Sequence, residues 1–285
     1  MTSTISALAS IHPNAQIAPD VIIEPFVTIH GDVVIESGCW IGSNAVIHDG
    51  ARIGANCKIF PGAVISSIPQ DLKFSGEYTT VEIGANSIVR EYVTIHRGTN
   101  HSHKTVIGSH VLLMAYVHIA HDCKIGNHVI LANGVNIAGH VLIDDYTVVG
   151  GMCAMHQFSR IGKHCMIAGG TMIRKDVPPY TLAGRDPMSY VGINSRGLRR
   201  RGFSVEQLNL IQEIYRVVFL SNLNISQAIQ QVMAQFKPSA ERDLIVQFIR
   251  DSERGIMRGY AFMDKNASLT TRPTNGISAS NGYHE

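Results

Sequence analysis

An all-β parallel β-helix followed by a small α-helical C-terminal domain is the fold class that the sequence predicts. Three observations carry it. First, of the 29 positions taken every sixth residue from Ile5 to Ile173, 26 are Ile, Leu, Val or Met, the exceptions being Asp71, Glu77 and His101. Second, the residue four places after each of those 26 is Ala, Val, Cys, Ser or Thr, Pro69 excepted. Third, beyond about residue 190 the hexads stop and apolar residues take up helical spacing. A period of six fits neither the i, i+3, i+4, i+7 pattern of a helix nor the alternation of a lone strand. It fits a solenoid in which each unit is one short strand plus a turn, and stacked coils bury a shared core.

Typical units read IEPFVT, IGSNAV, IGANCK, IGNHVI and IGKHCM. These hexads resemble the left-handed parallel β-helix acyltransferases, and the handedness follows from that resemblance alone. The resemblance implies three hexads per triangular coil of 18 residues, so the prism over residues 1–190 has nearly nine coils. At ~4.8 Å per stacked strand it is about 40 Å tall.

The elements follow in order. Residues 71–82 (DLKFSGEYTTVE) and 101–106 (HSHKTV) interrupt the hexads by twelve and six residues, together one coil, so the phase returns intact. On an 18-residue coil both loops leave from the same corner, one coil apart, and loops on a rigid scaffold are where function concentrates. Cys39, Cys57, Cys123, Cys153 and Cys165 all occupy the small inward place, which predicts packing rather than disulfides. Residues 191–262 form the helical domain. Ser204 and Gln207 make a capping box, Leu208, Ile211, Ile214, Tyr215, Val218 and Phe219 follow helical spacing, and two more helices are expected near 225–236 and 239–254. Residues 263–285 are polar and aperiodic, and are expected to be a disordered tail.

Composition narrows the function classes. A net charge of +2 is too even for a general nucleic-acid binder. No apolar run approaches the ~18 residues of a membrane span, so no integral membrane segment is expected. A basic then apolar leader is also missing at the start, which predicts a cytoplasmic protein.

The histidines sort by coil position. His96, His118, His121, His140 and His156 fall within five adjacent places of the coil, on successive coils beside the corner that extrudes the loops. The strip spans about 14 Å and is lined by groups that exchange protons near neutral pH. His110, His128 and His164, with Tyr146 between, make a second column that reads as a solvated ladder. His12, His30 and His48 lie coils lower and read as structural. The His118-x-x-His121 spacing also admits a metal pair, but no Cys or carboxylate cluster supports it, so no metal is expected.

The segments QDLKFSGE (70–77), VTIHRGT (93–99), LLMAYVHIAHDC (112–123), LANGVNIAGHV (131–141), GGMCAMHQF (150–158), DVPPY (176–180) and GLRRRGF (197–203) occur in this order. Together they resemble the UDP-N-acetylglucosamine O-acyltransferases of lipid A synthesis, from about residue 11 to about 258. The resemblance implies transfer of an R-3-hydroxyacyl group from acyl carrier protein, through its phosphopantetheine arm and without a resident cofactor, to the 3-hydroxyl of UDP-N-acetylglucosamine. It implies His121 as general base, Asp122 as the group orienting it, and the Gly139 N–H as an oxyanion donor. It places Asp71, Lys73, His96, His118, His140, His156, Gln157, Asn194, Arg200 and Arg201 among substrate-binding residues. It puts Met166, Gly169 and Met172 in the acyl-chain pocket, with a small residue at 169 implying a long chain, near fourteen carbons. Members are homotrimers. The chain departs from the family pattern at Arg196 and Pro187, both expected to affect nucleotide contacts. Arg196, Arg199, Arg200 and Arg201 offer a basic dock for the acidic carrier protein.

Two readings of other classes compete. One is a zinc β-helix lyase resembling carbonic anhydrase, with histidine ligands shared across a trimer interface. The other is a non-catalytic structural β-helix, which does not account for two loops leaving beside a histidine strip.

Overall fold

The computed structural model describes residues 4–259, and the expected tail at 263–285 lies outside them. Three parallel sheets form the faces of a triangular prism. Thr4 pairs with Ile22, Ser10 with Thr28 and Gln16 with Val34, so one coil is 18 residues on every face. The first face holds twelve strands, the second nine and the third eight. Most strands are two residues long, such as Ile130–Leu131 and Leu142–Ile143, because each hexad must still make a corner.

The hexad explains the prism residue by residue. The sixth-position aliphatics point inward, and Ile41, Ile59, Ile95 and Ile119 are fully buried. The small place four residues on fills the remaining volume. Five cysteines sit there, all free and at most 1% exposed. Polar atoms are tolerated at this place because they donate to a corner carbonyl of the next coil. Cys39 Sγ reaches Gly54 O at 3.2 Å, Ser87 Oγ reaches Gly108 O at 2.9 Å, and Thr147 Oγ1 reaches Gly162 O at 2.8 Å. A buried hydroxyl or thiol with its partner costs little. Most corners turn through a residue at positive φ, and non-glycine side chains occupy many of them, including Asn56 (57°), Tyr116 (64°) and His128 (56°). Asn, Asp and His tolerate this region best among L residues.

The two loops both cross from the second face to the third, on consecutive coils. The first joins strands Val64–Ser67 and Thr80–Ile83, the second joins Thr94–His96 and Lys104–Ile107. The loops therefore run over 68–79 and 97–103, the first three residues upstream of its window read from phase, the second starting four and ending three residues upstream. Phase fixes the length of an insertion but not its edges, so residues 80–82 and 104–106 return to strands.

At the upper end Thr181–Gly184 pairs antiparallel with Ser189–Ile193, and Arg258–Gly259 adds a parallel strand to it. Four helices follow the prism: α1 (Ser195–Arg200), α2 (Val205–Leu220), α3 (Ile225–Gln235) and α4 (Ala240–Arg250). Capping boxes at Ser204/Gln207 and Asn224/Gln227 start α2 and α3. Tyr215 of α2 is fully buried and donates its hydroxyl to Pro179 O at 2.5 Å. Asp176 accepts from Arg160 N and Ser252 Oγ, tying the segment after α4 to the top coil.

Candidate active site

The corner between the second and third faces carries the site. After strand His118–Ile119 the chain turns through Ala120, His121 and Asp122 before Cys123 points inward again. Asp122 takes the positive-φ place of the turn (58°), which lets its carboxylate lie beside the ring of the residue before it. His121 Nδ1 lies 2.8 Å from Asp122 Oδ2. An ionised carboxylate only accepts, so Nδ1 carries the proton and Nε2 is left bare.

Asp122 is enclosed, with a side chain that has no exposed surface. Its oxygens also accept from the N–H and hydroxyl of Thr99 and the N–H and hydroxyl of Ser102. Burial alone raises such a carboxyl, yet the bonds from Ser102, His121 and Thr99 hold it well below the usual carboxylate range. The dyad thus sets a fixed negative charge against the Nδ1 side of the imidazole.

One coil above, Gly139 stands at the place of His121. A Cβ built there would come within 2.6 Å of His121 Cε1 and 2.7 Å of Nε2, so only glycine leaves the ring its seat. Among the described residues, no protein acceptor takes the Gly139 N–H. His140 packs edge-on to His121 with centroids 5.0 Å apart and stacks on Phe158 at 4.4 Å. Its Nδ1 is buried without a hydrogen-bond partner, 3.9 Å from Asp122 Oδ2. Burial, more than its neighbours, lowers the pKa of His140.

His96 and His118 lie on the second face, edge to face at 5.1 Å. His96 Nδ1 donates to Ile68 O at 2.7 Å, at the start of the first loop. His118 Nδ1 meets Thr94 Oγ1 at 2.8 Å, and burial, with a smaller push from His96, lowers its pKa to about 4. Both rings are therefore neutral near pH 7. His156 and Gln157 stand exposed on the same corner, higher up. Asp71, in the first loop, is close enough to favour protonation of His140, and its carboxylate caps the backbone N–H of the exposed Lys73. A cavity of about 530 Å³ opens beside the dyad, lined by His101, Asp122, Lys124, His140, Phe158 and Arg160 among others.

Not every expected residue gathers here. Asn194 caps α1 and donates to His164 O at 2.8 Å, and the Arg201 guanidinium lies 4.9 Å over the Tyr146 ring. Those partners belong to the corner between the third and first faces, so within one chain Asn194, Arg201 and the exposed Arg200 do not join the His121 corner. Met166 lies on the first face and Met172 on the second, with the exposed Gly169 at the corner between them. Met172 borders a cavity of about 270 Å³ with Pro187, Met188 and Met257. Pro187, where the chain departs from the family pattern, therefore borders a cavity that Arg174, Lys175 and Asp186 also line.

Three contacts escaped the sequence reading: His101, whose ring meets His140 edge-on at 4.7 Å, and the Thr99 and Ser102 donors to Asp122. His101 was visible as an exception to the hexad ruler; Thr99 and Ser102 gave no such signal.

Among the described residues His121, Asp122 and His140 form one group with ligand atoms within 4.8 Å. The donor set argues against a cation there. His121 Nδ1 already serves Asp122, and the carboxylate's roughly four acceptor directions are taken by protein donors.

The comparisons with known proteins agree with this fold. A family model described as UDP-N-acetylglucosamine O-acyltransferase, domain 2, matches residues 176–257, and the bacterial transferase hexapeptide model matches 32–67 and 104–139. An acyl-[acyl-carrier-protein]–UDP-N-acetylglucosamine O-acyltransferase of Xylella fastidiosa is 43% identical over 258 residues, 90% of this chain and 98% of the relative. The protein of that name from Myxococcus xanthus is 45% identical over 195 residues, 68% of this chain and 76% of the relative. The solved UDP-N-acetylglucosamine acyltransferase of Bacteroides fragilis superposes with a TM-score of 0.87 at 49% identity, covering 90% of this chain and 100% of that one. The one from Francisella novicida gives 0.88 at 38% identity, over 96% and 100%. A left-handed parallel β-helix with a loop-covered histidine corner and a short helical C-terminal region, this chain belongs to the UDP-N-acetylglucosamine O-acyltransferase family.

Proposed function

We infer that this protein transfers an R-3-hydroxyacyl chain from acyl carrier protein to the 3-hydroxyl of UDP-N-acetylglucosamine, the first step of lipid A biosynthesis. The observation that carries the reading is the His121–Asp122 dyad at 2.8 Å, set under two loops in a chain of this family.

The chemistry follows from the tautomer. The bare Nε2 of His121 takes the proton of the sugar hydroxyl, which makes that oxygen a competent nucleophile. The oxygen attacks the thioester carbonyl carbon, and the carbonyl electron pair moves onto oxygen. The unclaimed N–H of Gly139 is the donor for that oxyanion. When the tetrahedral intermediate collapses the C–S bond breaks, and the thiolate recovers the proton from Nε2. Asp122, kept ionised, stabilises the imidazolium in between. His96 and His118, both neutral, supply hydrogen bonds rather than charge. Asp71, Lys73, His140, His156 and Gln157 bind the sugar nucleotide from the same corner.

Asn194, Arg200 and Arg201 complete the nucleotide site from a second copy, since they stand on a different corner of their own prism. This supports a homotrimer with the cleft between neighbours. An Arg pair suits a diphosphate. The Met166–Gly169–Met172 edge takes the acyl chain. The protein needs no resident cofactor, because the carrier's phosphopantetheine brings the activated acyl group, and it works in the cytoplasm where that carrier is charged. No helix among the described residues is long and apolar enough to cross a membrane.

The test is direct. Purified protein with R-3-hydroxyacyl carrier proteins of several chain lengths and UDP-N-acetylglucosamine yields the 3-O-acyl product, fastest near fourteen carbons. Absence of product with every donor overturns the reading. The zinc lyase is left without support: the matched relatives are acyltransferases by name, and the candidate ligand group found among the described residues is occupied by its own hydrogen bonds.

A further inference from the structure

The second loop is the less conspicuous of the two, yet it holds the tightest contact in the site. Ser102 is exposed, while the carboxylate it covers has no exposed surface. Ser102 Oγ lies 2.5 Å from Asp122 Oδ1 and its N–H lies 3.2 Å from the same oxygen. The hydroxyl has one proton and two acceptors in reach, the carboxylate and Lys104 O at 2.9 Å. The charged acceptor is nearer, and charge-assisted bonds are the stronger kind, so the proton goes to Asp122. Thr99 serves the other oxygen, its Oγ1 2.7 Å from Oδ2. Oδ2 is the atom that accepts from His121.

We propose that Ser102 is a positioning residue for acyl transfer, the keystone of a clamp in which Thr99 and Ser102 leave Asp122 one open direction, toward His121 Nδ1. The proposal deepens the functional reading and rests on it. Its physical content is twofold. The clamp fixes the carboxylate plane, which fixes the imidazole plane and the aim of Nε2. It also spreads the carboxylate charge over several donors, so Asp122 steadies the imidazolium without holding its proton too firmly. Other titratable groups face the dyad: His140 at 3.9 Å from Oδ2, His101 against His140, and His96 and Asp71 at longer range. Among the described residues none of these hydrogen-bonds to Ser102, so the hydroxyl can be removed without touching them.

The test uses full-length Ser102→Ala, Ser102→Thr, Asp122→Asn and the Ser102→Ala/Asp122→Asn double variant, with kcat and kcat/KM followed from pH 5 to 9. Loss of the hydroxyl lowers kcat about tenfold, the size expected for one hydrogen bond to a charged group, with KM for UDP-N-acetylglucosamine nearly unchanged. The acid limb of kcat/KM moves to higher pH, because a less delocalised carboxylate holds the imidazolium proton longer. Ser102→Thr restores both. In the Asp122→Asn background, Ser102→Ala has little further effect. An unchanged acid limb and kcat in Ser102→Ala overturns the proposal, and so does an effect of equal size in the Asp122→Asn background. Wild-type protein that transfers no acyl group refutes the functional reading instead, so the two failures are distinct.

Discussion

Two corners of one prism use the same turn place for different ends. On the upper coils of the corner between the third and first faces the positive-φ residues are His110, His128, Tyr146, His164 and Tyr180, and their rings stack nearly parallel, with centroids 4.7 to 5.7 Å apart. At the loop-bearing corner the same place is filled by Asp122, His140 and Phe158. Parallel stacking presents ring faces to each other and makes a seam. Putting a carboxylate in the column, and a histidine just before it, turns a ring edge-on and ties one nitrogen. The comparison teaches that histidine content does not make a site in this fold. In the proposed mechanism the distinguishing feature is a buried carboxylate on Nδ1, with Nε2 left bare.

The largest separation of the two corners comes from His121→Ala against His128→Ala. The first lowers acyl-transfer turnover by about 10²–10⁴, the range for a lost general base, while the second leaves it within about twofold of wild type, as for most surface changes. Equal losses in the transfer assay would erase the distinction. Asp122→Asn comes next, at about 10² in kcat, because an amide neither steadies the imidazolium nor fixes the Nδ1–H tautomer. Gly139→Ala follows, with about tenfold to 10² lost in kcat, since its Cβ displaces the His121 ring and a misplacement near 1 Å costs up to about that much. A crystal structure of this variant should show the ring moved.

The smallest effect concerns stability. His118 and His164 are both lowered by burial to about 4, from an ordinary 6.5. Between those values the unfolded chain binds more protons than the folded one. Stability is therefore fully present above pH 6.5 and is lost as pH falls toward 4. Urea midpoints measured across that window should decline, and the decline should be shallower in His164→Phe, which keeps the seam but removes its titrating member. An identical slope in wild type and variant would show that the ladder does not sense protons.

Much of this was legible in the sequence, for a stated reason. Where every sixth residue points inward, arithmetic on residue numbers becomes geometry, so the coil, the shared corner of the loops and the adjacency of His121 to Gly139 could be counted. What escaped has no period. The Thr99 and Ser102 donors reach Asp122 across an irregular loop, and the loop edges lie three or four residues from their phase-derived places. Asn194 and Arg201 follow the hexads in sequence, and their seat on another corner is set by how α1 packs on the ladder. Pro187 lies in the turn after the last hexad, where no period fixes its neighbours.

The 18-residue coil has a consequence for how such a site can change. Each substituent on a corner has an address, a storey and a place on it, and storeys differ by about 4.8 Å. The proposed catalytic corner can thus be moved, doubled or lengthened only in whole storeys, and a spliced coil carries everything above it upward as a rigid stack. Chemistry on this scaffold is set by discrete translation, as on a ruled scale, while fine adjustment is left to the loops.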